Sequence, residues 1–382
     1  MSRIIQIGPF PQSIDHVRGG VEASVFGLAK AQSATYEVHV FDIPRIGGSY
    51  GVESTEGVTV HRFCNQGGRQ FAAGRQAVVM AKEIQALQPE VCHIHGTGLF
   101  SWLVYRELKK MKMPVIVTIH GLVRVEKRNA LKKCFSAKKL FQYLYQGWVE
   151  KRFLSQLPIA IVDTEYVKDR VNQYPIRRKP IMHVIPQGID EAFFSLKCSP
   201  VSRMILSVGA IGERKGHLIT LRAFELAEGK GMNAQLVIVG SVADNQYLER
   251  LQDAISRSEY NSQVSLFTNV SDEALKQLYE KAHLFVLHSE EESQGIVFAE
   301  AMATGLPVVA TQVGGVPWVV GHGKNGLLSA YGDVEAFAGH IQSLMEDASL
   351  WQEMSEASME TANGFHWQTI CDGIIELYHT IC

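Results

Sequence analysis

Two carboxylates lie eight residues apart in the segment ESQGIVFAE, which runs from Glu292 to Glu300. A polar loop followed by a helical pattern predicts that a helix begins at Gly295, with Glu292 before it and Glu300 inside it. Helix N-terminal amides carry partial positive charge, so a diphosphate could bind at Gly295, Ile296 and Val297. The carboxylates could then accept hydrogen bonds from the vicinal hydroxyls of a sugar and of a ribose. Taken alone, two glutamates at this spacing are more often solvated helix charges.

The context of these glutamates favours a ligand role. The segment continues into AMATGLPVVATQVGG, and together the two stretches resemble the E-x7-E signature of retaining glycosyltransferases with the GT-B fold, most closely glycosyltransferase family 4. Two departures leave the donor open. Ser293 and Gln294 stand where many members have Gly-Phe, and Thr268-Asn269, in the loop that resembles the base-contacting loop, stands where a glycine is frequent. The resemblance makes Asn269 a candidate donor contact.

A second loop, GAIGERKGH from Gly209 to His217, follows a predicted strand and contains Arg214 and Lys215. Departure of a nucleoside diphosphate leaves negative charge, and fixed cations aimed at it stabilise the transition state more than the ground state. An Arg-Lys pair on a loop is otherwise usually solvated charge. Many relatives carry an arginine where this chain has Ala210, and Arg214 could substitute for it.

Further candidates lie in the first half of the chain. Gly19 and Gly20 separate the first predicted strand from a helix, where small residues permit close backbone approach to a phosphate or sugar, although a tight turn is the simpler interpretation. His95 and His120 each end a predicted strand and precede a glycine. The resemblance assigns the second histidine to the donor sugar or the reaction centre, so His120 is the candidate. Otherwise a strand-end histidine is usually structural.

Alternating strands and helices indicate the fold class. Short apolar runs that read as strands recur with helical segments between them, which predicts parallel sheets in two Rossmann-like domains. The predicted strands are Arg3–Gly8, Glu37–Asp42, Val58–Phe63, Val91–His95, Pro114–His120, Ile159–Thr164, Met204–Val208, Leu236–Val239, Val264–Phe267, Leu284–His288 and Pro307–Thr311.

The length of 382 residues also suggests two domains. We predict one domain over residues 1–188 and a second over 189–365, with a cleft between their sheets. The resemblance to the GT-B fold implies that the first is the acceptor domain and the second the nucleotide-sugar donor domain. By resemblance to the GT-B fold, the C-terminal helix 366–382 would pack back on the first domain.

The composition of the chain indicates where in the cell we expect the protein. The chain is 46% hydrophobic, no apolar run approaches a membrane span, and MSRIIQIGPF lacks a signal-peptide layout, so we expect a cytoplasmic protein. Six cysteines occur without a C-x-x-C pair, which indicates neither a disulfide framework nor a zinc site. No nucleic-acid partner is expected.

The net charge of −2 conceals an asymmetry: residues 1–190 hold 26 Lys+Arg and 15 Asp+Glu, a balance of +11, and residues 191–382 hold 11 and 24, a balance of −13. Seven of the cations lie between Arg124 and Lys139 among apolar residues. Such a segment could lie on an anionic membrane, at the inner face of the cell membrane, or could be a solvated helix face. A lipid-linked acceptor would favour the membrane.

The resemblance implies transfer of a glycosyl group from a nucleoside-diphosphate sugar to the hydroxyl of a glycan or lipid-linked acceptor, with retention of configuration. No cofactor and no metal are expected, because helix amides with Arg214 and Lys215 could carry the phosphate charge. The pathway we expect is cell-surface or exopolysaccharide synthesis.

Three alternatives remain. A glycoside hydrolase would use paired carboxylates, but these must face each other across one bond, whereas Glu292 and Glu300 flank one helix start. A dinucleotide-dependent oxidoreductase would need a G-x-G-x-x-G after the first strand, where the sequence is GPFP. A non-catalytic nucleotide-sugar-binding protein would bind donor without turnover, and Arg214 and Lys215 argue against it.

Overall fold

The computed structural model describes residues 2–13, 19–46, 51–65, 70–123, 125, 137–198 and 203–381. These form two compact units. The first unit runs to Gly188 and includes Trp367 onwards, and the second runs from Ile189 to His366. After Gly188 the chain continues into the second unit, and it returns to the first unit for its last helix.

The described part of the first unit contains an eight-stranded sheet with the strand order β3-β4-β2-β1-β5-β6-β7-β8. All neighbouring pairs are parallel except β3 with β4. The strands are β1 Arg3–Gly8, β2 Glu37–Ile46, β3 Gly51–Thr55, β4 Val58–Asn65, β5 Val91–His95, β6 Val115–Ile119, β7 Ile159–Val162 and β8 Ile181–Val184.

Two of these strands escaped the sequence analysis, and both lie at the edges of the sheet. The side chains of β3 are mostly exposed, and those of β8 alternate between exposed and half-buried. Strands such as β5 and β6, in contrast, are buried at every position, as expected for the interior of a parallel sheet. Edge strands lack the continuous apolar run by which the interior strands were recognised.

Helices cover the first sheet. They are α1 Gly20–Ser33, α2 Gln70–Ala86, α3 Leu99–Lys110, α4 Ala137–Leu154, α5 Glu165–Asn172 and, after the second unit, α14 Trp367–Ile381. The last helix buries Ile370, Ile374 and Leu377 in a core that also contains Ile4 and Leu28. Because these residues recur every three or four positions, α14 presents one apolar stripe to β1 and α1.

The described part of the second unit contains a six-stranded, fully parallel sheet with the order β11-β10-β9-β12-β13-β14. Its strands are β9 Met204–Val208, β10 Gln235–Val239, β11 Val264–Phe267, β12 Leu284–Leu287, β13 Val308–Thr311 and β14 Gly326–Ser329. Its helices are α6 Ala192–Ser195, α7 His217–Glu228, α8 Asn245–Arg257, α9 Asp272–Lys281, α10 Ile296–Ala303, α11 Val316–Val319, α12 Val334–Glu346 and α13 Ala348–Ala362.

The strand order reverses beside the first strand of each sheet. In the first unit β1 lies between β2 and β5, and in the second unit β9 lies between β10 and β12. Parallel sheets bind ligands outside the carboxyl ends of their strands at such reversals. The loops that follow β9 and β12 are therefore expected to form a site together, and these loops contain the predicted cations and the first predicted carboxylate.

Candidate functional site in the second unit

The loops after β9 and β12 bring three predicted site residues into contact. Lys215 Nζ lies 2.5 Å from Glu292 Oε1, and Arg214 Nη1 lies 3.5 Å from Glu292 Oε2. Ser289 Oγ donates a hydrogen bond to Glu292 Oε1 over 2.7 Å. We call Arg214, Lys215 and Glu292 the charged cluster. Sequence reasoning predicted its members but gave them separate ligands, and it did not predict that they pair with each other.

The electrostatics of the charged cluster keep Glu292 ionised. Burial acts to raise the pKa of Glu292, but the positive charges of Lys215 and Arg214, with hydrogen bonds from Lys215 and Ser289, outweigh it and hold that pKa below its ordinary value. Burial lowers the pKa of Lys215, against the attraction of Glu292. The Arg214 side chain is 45% exposed. The cluster therefore has one solvent-facing cation and one buried cation on a single carboxylate.

Backbone hydrogen bonds tie these two loops to each other and to the loop after β13. The Glu290 N–H donates to the Arg214 carbonyl over 2.8 Å, and the Gly315 N–H donates to the Glu292 carbonyl over 2.8 Å. Gly216 and Gly314 have φ of +65° and +54°, and an added Cβ would lie 2.0 Å from the carbonyl oxygens of His288 and Glu292, respectively. Glycine is the residue that tolerates both this conformation and this approach.

Helix α10 begins beside the charged cluster, as predicted, and its first turn lacks a side-chain cap. Gly295 occupies the N-cap position with φ +80° and ψ +71°, and no side chain caps the helix from there. The first amides of a helix have no partners within the helix. The N-terminus of α10, with the amides of Ile296 and Val297, thus has the chemistry of an anion site.

Glu300 lies one turn inside α10 and accepts a hydrogen bond from Tyr279 Oη over 2.9 Å. Burial, opposed by this hydrogen bond and aided by the charges of Asp190 and Asp272, raises the pKa of Glu300 to about 7. The charge of Glu300 in turn acts to raise the pKa of Lys215, so it belongs to the same electrostatic environment as the charged cluster. Sequence reasoning missed Tyr279, because it occupies a buried position in the apolar pattern of α9.

Asn269 lies in the loop after β11, and its side chain is exposed. Strand β11 is at the edge of the sheet, with β10 between it and β9. Within the described residues, no hydrogen bond joins Asn269 to the charged cluster or to Glu300. Its predicted role in base contact therefore stays a prediction.

The remaining candidates belong to the first unit. Gly19 has φ +100° and precedes α1, and an added Cβ there would meet no atom within 4 Å. Gly20 is the first residue of α1, and both glycines are exposed. The backbone at these glycines is open to solvent. Gly19 is the N-cap residue of α1, and no side chain at that position caps the helix.

His120 follows β6 and is buried, with both ring nitrogens in contact with protein groups. Its Nε2 lies 2.9 Å from His95 Nδ1, and its Nδ1 lies 3.2 Å from Asp163 Oδ2. Asp163 was missed by sequence reasoning, although it follows the end of β7 much as His120 follows β6. The carboxyl ends of neighbouring parallel strands meet at one edge of a sheet. The place of Asp163 at the end of a predicted strand was therefore the sequence signal that could have placed it near His120.

The basic segment from Arg124 to Lys139 lies largely outside the described residues. Residues 124 and 126–136 are not described, and neither are the side chains of residues 137–139. The helix that follows, α4, carries exposed apolar side chains: Phe141 is 71% exposed, Leu144 59% and Trp148 49%. Tyr145 stacks against both Phe141 and Trp148, with ring centroids 6.4 and 6.3 Å apart.

Comparison with known proteins agrees with this architecture. The model of the family described as glycosyl transferases group 1 matches residues 189–361, and that of glycosyltransferase family 4 matches residues 18–193. A D-inositol 3-phosphate glycosyltransferase of Arthrobacter sp. (strain FB24) is 26% identical over 399 residues, covering 98% of this chain and 93% of that enzyme.

Solved structures show the same fold. Sucrose-phosphate synthase from Thermosynechococcus elongatus superposes with a TM-score of 0.81 at 21% identity, covering 100% of this chain and 99% of that one. Anabaena HepE, solved in complex with UDP and glucose, gives a TM-score of 0.74 at 20% identity, with both chains covered completely. Two parallel-sheet units with this topology define the GT-B class, as predicted.

The two family models together span residues 18–361, so the chain belongs to the GT-B glycosyltransferases of group 1 and family 4.

Proposed function

We propose that this protein transfers a hexosyl group from a nucleoside-diphosphate sugar to an acceptor hydroxyl, with retention of configuration and without a metal ion. The observation that carries the proposal is the charged cluster beside the uncapped N-terminus of α10. A buried lysine, an exposed arginine and helix amides offer three kinds of donor to one diphosphate. This arrangement supplies the positive charge that a divalent ion would otherwise bring.

In the proposed mechanism the donor diphosphate binds at Gly295, Ile296 and Val297, and Arg214 and Lys215 turn from Glu292 toward its oxygens. As the glycosidic bond to the diphosphate lengthens, negative charge grows on the leaving phosphate, and the two cations stabilise it. That phosphate takes the proton of the acceptor hydroxyl on the same face of the sugar. The acceptor oxygen then bonds to the anomeric carbon, and no protein nucleophile is needed.

The two glutamates have separate roles in this proposal. Glu292, held ionised, accepts a hydrogen bond from a hydroxyl of the transferred sugar once the cations engage the phosphate. Glu300 accepts from the ribose hydroxyls, and Tyr279 orients it by donating to Oε2. Asn269 would contact the base. In the first unit, Gly19 and Gly20 would admit the donor closely, and His120 would orient the reacting sugar.

We further propose that the acceptor is a lipid-linked glycan and that the protein works at the anionic inner face of the cell membrane, in cell-surface polysaccharide synthesis. The exposed apolar stripe Phe141, Leu144 and Trp148 on α4, with the half-buried Tyr145 stacked against Phe141 and Trp148, supports this proposal. The stripe follows directly after the seven cations of Arg124 to Lys139. Apolar rings beside basic residues suit an interface of anionic headgroups over acyl chains. No described helix is long and apolar enough to cross a bilayer.

A donor screen tests the central proposal. Purified protein is incubated with UDP-, GDP- and ADP-sugars, and the melting temperature is recorded with each, since ligands that bind the folded state raise it. The stabilising donor is then offered with lipid-linked and free glycan acceptors, and the anomeric configuration of the product is read by NMR. We expect stabilisation by one donor class and a product that retains the donor's configuration.

The same screen separates the alternatives. An inverted product would contradict the retaining mechanism. Donor stabilisation without turnover on any acceptor would indicate a nucleotide-sugar-binding protein, and hydrolysis of simple glycosides without nucleotide would indicate a glycosidase. For metal independence, transfer is measured after dialysis against EDTA, where unchanged turnover is expected. Loss of turnover that Mg²⁺ or Mn²⁺ restores would overturn that part of the proposal.

A further inference from the structure

A chain of buried polar side chains in the first unit leads from the C-terminal helix to His120. Gln6 Nε2 donates to Tyr378 Oη of α14 over 3.2 Å and to Gln32 Oε1 over 2.7 Å. Gln6 Oε1 lies 2.7 Å from His95 Nε2, and His95 Nδ1 lies 2.9 Å from His120 Nε2. One hydrogen-bond network thus connects five residues, which are Gln6 of β1, Gln32 of α1, His95 of β5, Tyr378 of α14 and His120 after β6.

The donors and acceptors in this network have a definite direction. Both donations by Gln6 use its amide nitrogen, so its oxygen faces His95 and can only accept. His95 Nε2 is therefore a donor. Burial lowers the pKa of His95 well below its ordinary value, so this ring is neutral and carries one proton. His95 Nδ1 then accepts, and the donor it faces is His120 Nε2.

The other nitrogen of His120 faces a carboxylate. Asp163 Oδ2 lies 3.2 Å from His120 Nδ1, and Gln187 Nε2 also donates to this oxygen. An ionised carboxylate is an acceptor only, so Nδ1 must donate as well. A neutral imidazole has one donor and one acceptor and cannot satisfy both contacts.

We propose that His120 carries a proton on both ring nitrogens and acts in the reaction as a fixed imidazolium, positioned by Tyr378, Gln6 and His95 and balanced by Asp163, and not as a general acid or base. The inference deepens the proposed function, because it specifies how His120 serves the proposed transfer. A ring whose two nitrogens both donate to the protein has neither a free base nor an exchangeable proton for the substrate. His120 would therefore orient the reacting sugar through the position and charge of its ring and not through a hydrogen bond to it.

The surroundings of the ring agree with a single counter-charge. The cavity beside His120 is lined by groups from several elements, and Asp163 is the charged one among them. The other lining residues with polar or titratable groups are Ser24 of α1, His93 and His95 of β5, Thr118 of β6, Gln187 after β8 and Trp367 of α14. Burial lowers the pKa of His93 to about 3, so this ring is neutral too.

The proton count can be measured without any assay of transfer. In protein labelled with ¹⁵N-histidine, we expect His120 to show two ring N–H signals with imidazolium shifts between pH 6.5 and 8, assigned by their loss in His120→Gln. A single N–H signal, or a neutral ring in this range, would overturn the proposal. The measurement needs neither the sugar donor nor the acceptor substrate. It therefore tests the protonation of His120 even if the proposed transfer reaction is not found.

Two variants test the counter-charge and the relay. In Asp163→Asn, His120 should lose one of its two ring N–H signals. Tyr378→Phe removes one hydroxyl from the far end of the relay, and we expect turnover to fall several-fold with an unchanged donor dissociation constant. His95→Asn, whose side-chain oxygen can replace Nδ1 as acceptor, should restore the imidazolium signature that His95→Phe abolishes.

Results that would count against the relay are equally specific. An unchanged His120 spectrum in Asp163→Asn would remove Asp163 as counter-charge. If Tyr378→Phe changed stability alone, with turnover of the folded protein unaffected, Tyr378 would have a structural role and no positioning role.

Discussion

Lys215 Nζ contacts Glu292 Oε1 at 2.5 Å across two loops that follow different strands of one sheet, and this pair joins the two parts of the predicted donor site. Both side chains are nearly buried, and the carboxylate also receives Ser289 Oγ. Before a donor binds, the pair satisfies two charges that would otherwise be costly to bury. Donor binding must therefore exchange this contact for one with phosphate.

Lys215→Ala should reduce turnover more than donor affinity, because the phosphate charge that Lys215 meets grows during the reaction. We expect kcat to fall roughly 100-fold or more, on the scale seen when one preorganised donor is removed. Steady-state kinetics and donor titration by calorimetry measure the two effects separately.

Arg222→Ala is the matched control for this change, because Arg222 is 66% exposed and pairs only at the surface with Glu225 in α7. It should leave both quantities unchanged. Equal losses of binding and rate in Lys215→Ala would show ground-state anchoring instead.

Glu300→Gln should stabilise the protein more at high pH than at low pH. Because the pKa of Glu300 is raised from 4.5 to about 7, the folded state binds this proton more tightly than the unfolded state does. Folding stability contributed by the group therefore falls as pH rises from 4.5 to 7. Glutamine does not titrate. The free energy of unfolding of the Glu300→Gln variant should therefore rise relative to that of the parent by at most about 3 kcal/mol over that interval, and by less where solvent screens the partly exposed carboxyl.

Denaturant melts of both proteins at pH 5 and pH 8 measure this difference. A stability gap that does not widen with pH would show that Glu300 has an ordinary pKa in the folded protein.

The same variant also tests the proposed role of Glu300 in nucleotide binding. Glu300→Gln should weaken donor binding by about 1–3 kcal/mol at pH 8, because the ribose hydroxyls lose an ionic acceptor. An unchanged dissociation constant would remove the ribose role.

Gly314→Ala should lower both stability and turnover. Its φ is +54°, and an added Cβ would lie 2.0 Å from the Glu292 carbonyl oxygen, so the loop carrying Glu292 must move. Strain of this kind costs on the order of 1–3 kcal/mol. Thermal melts and kinetics at saturating donor measure the two losses.

The control is Gly339→Ala in the interior of α12, where an added Cβ meets nothing within 4 Å. This change should stabilise the protein by about 0.5–1 kcal/mol, because alanine favours the helix over glycine. A Gly314→Ala variant that behaved like this control would mean that the loop accommodates the methyl group and that the close contact does not constrain Glu292.

The candidate site could be predicted from sequence to the extent that its residues follow buried strands. Strands β9 and β12 are buried throughout, so Lys215 and Glu292 could be assigned to loops at the same sheet edge. Their mutual ion pair could not, because pairing depends on loop conformations set by Gly216 and Gly314.

Other features carried no periodic signal. Tyr279 and Tyr378 are buried within helices, where a tyrosine fits the apolar pattern as well as any core residue. Their hydroxyls become informative only when Glu300 and Gln6 are seen beside them. Edge strands β3 and β8 were missed for the opposite reason, since their exposed positions break the apolar run.

Replacing Phe141, Leu144 and Trp148 with serine should release the protein from anionic vesicles. These side chains are 49–71% exposed, so the substitutions remove mainly surface apolar area, and Trp148→Ser also removes one edge contact with the buried Trp102. Co-sedimentation with phosphatidylserine–phosphatidylcholine vesicles measures binding, and a second variant neutralises Lys132, Lys133, Lys138 and Lys139. Binding should weaken in both variants, and added salt should weaken vesicle binding by the parent more than binding by the lysine variant.

Val52→Ser, at another exposed position of the first unit, is the control and should bind like the parent. If the parent protein did not sediment with anionic vesicles at low salt, the stripe on α4 would not be a membrane surface, and the lipid-linked acceptor would lose its structural support.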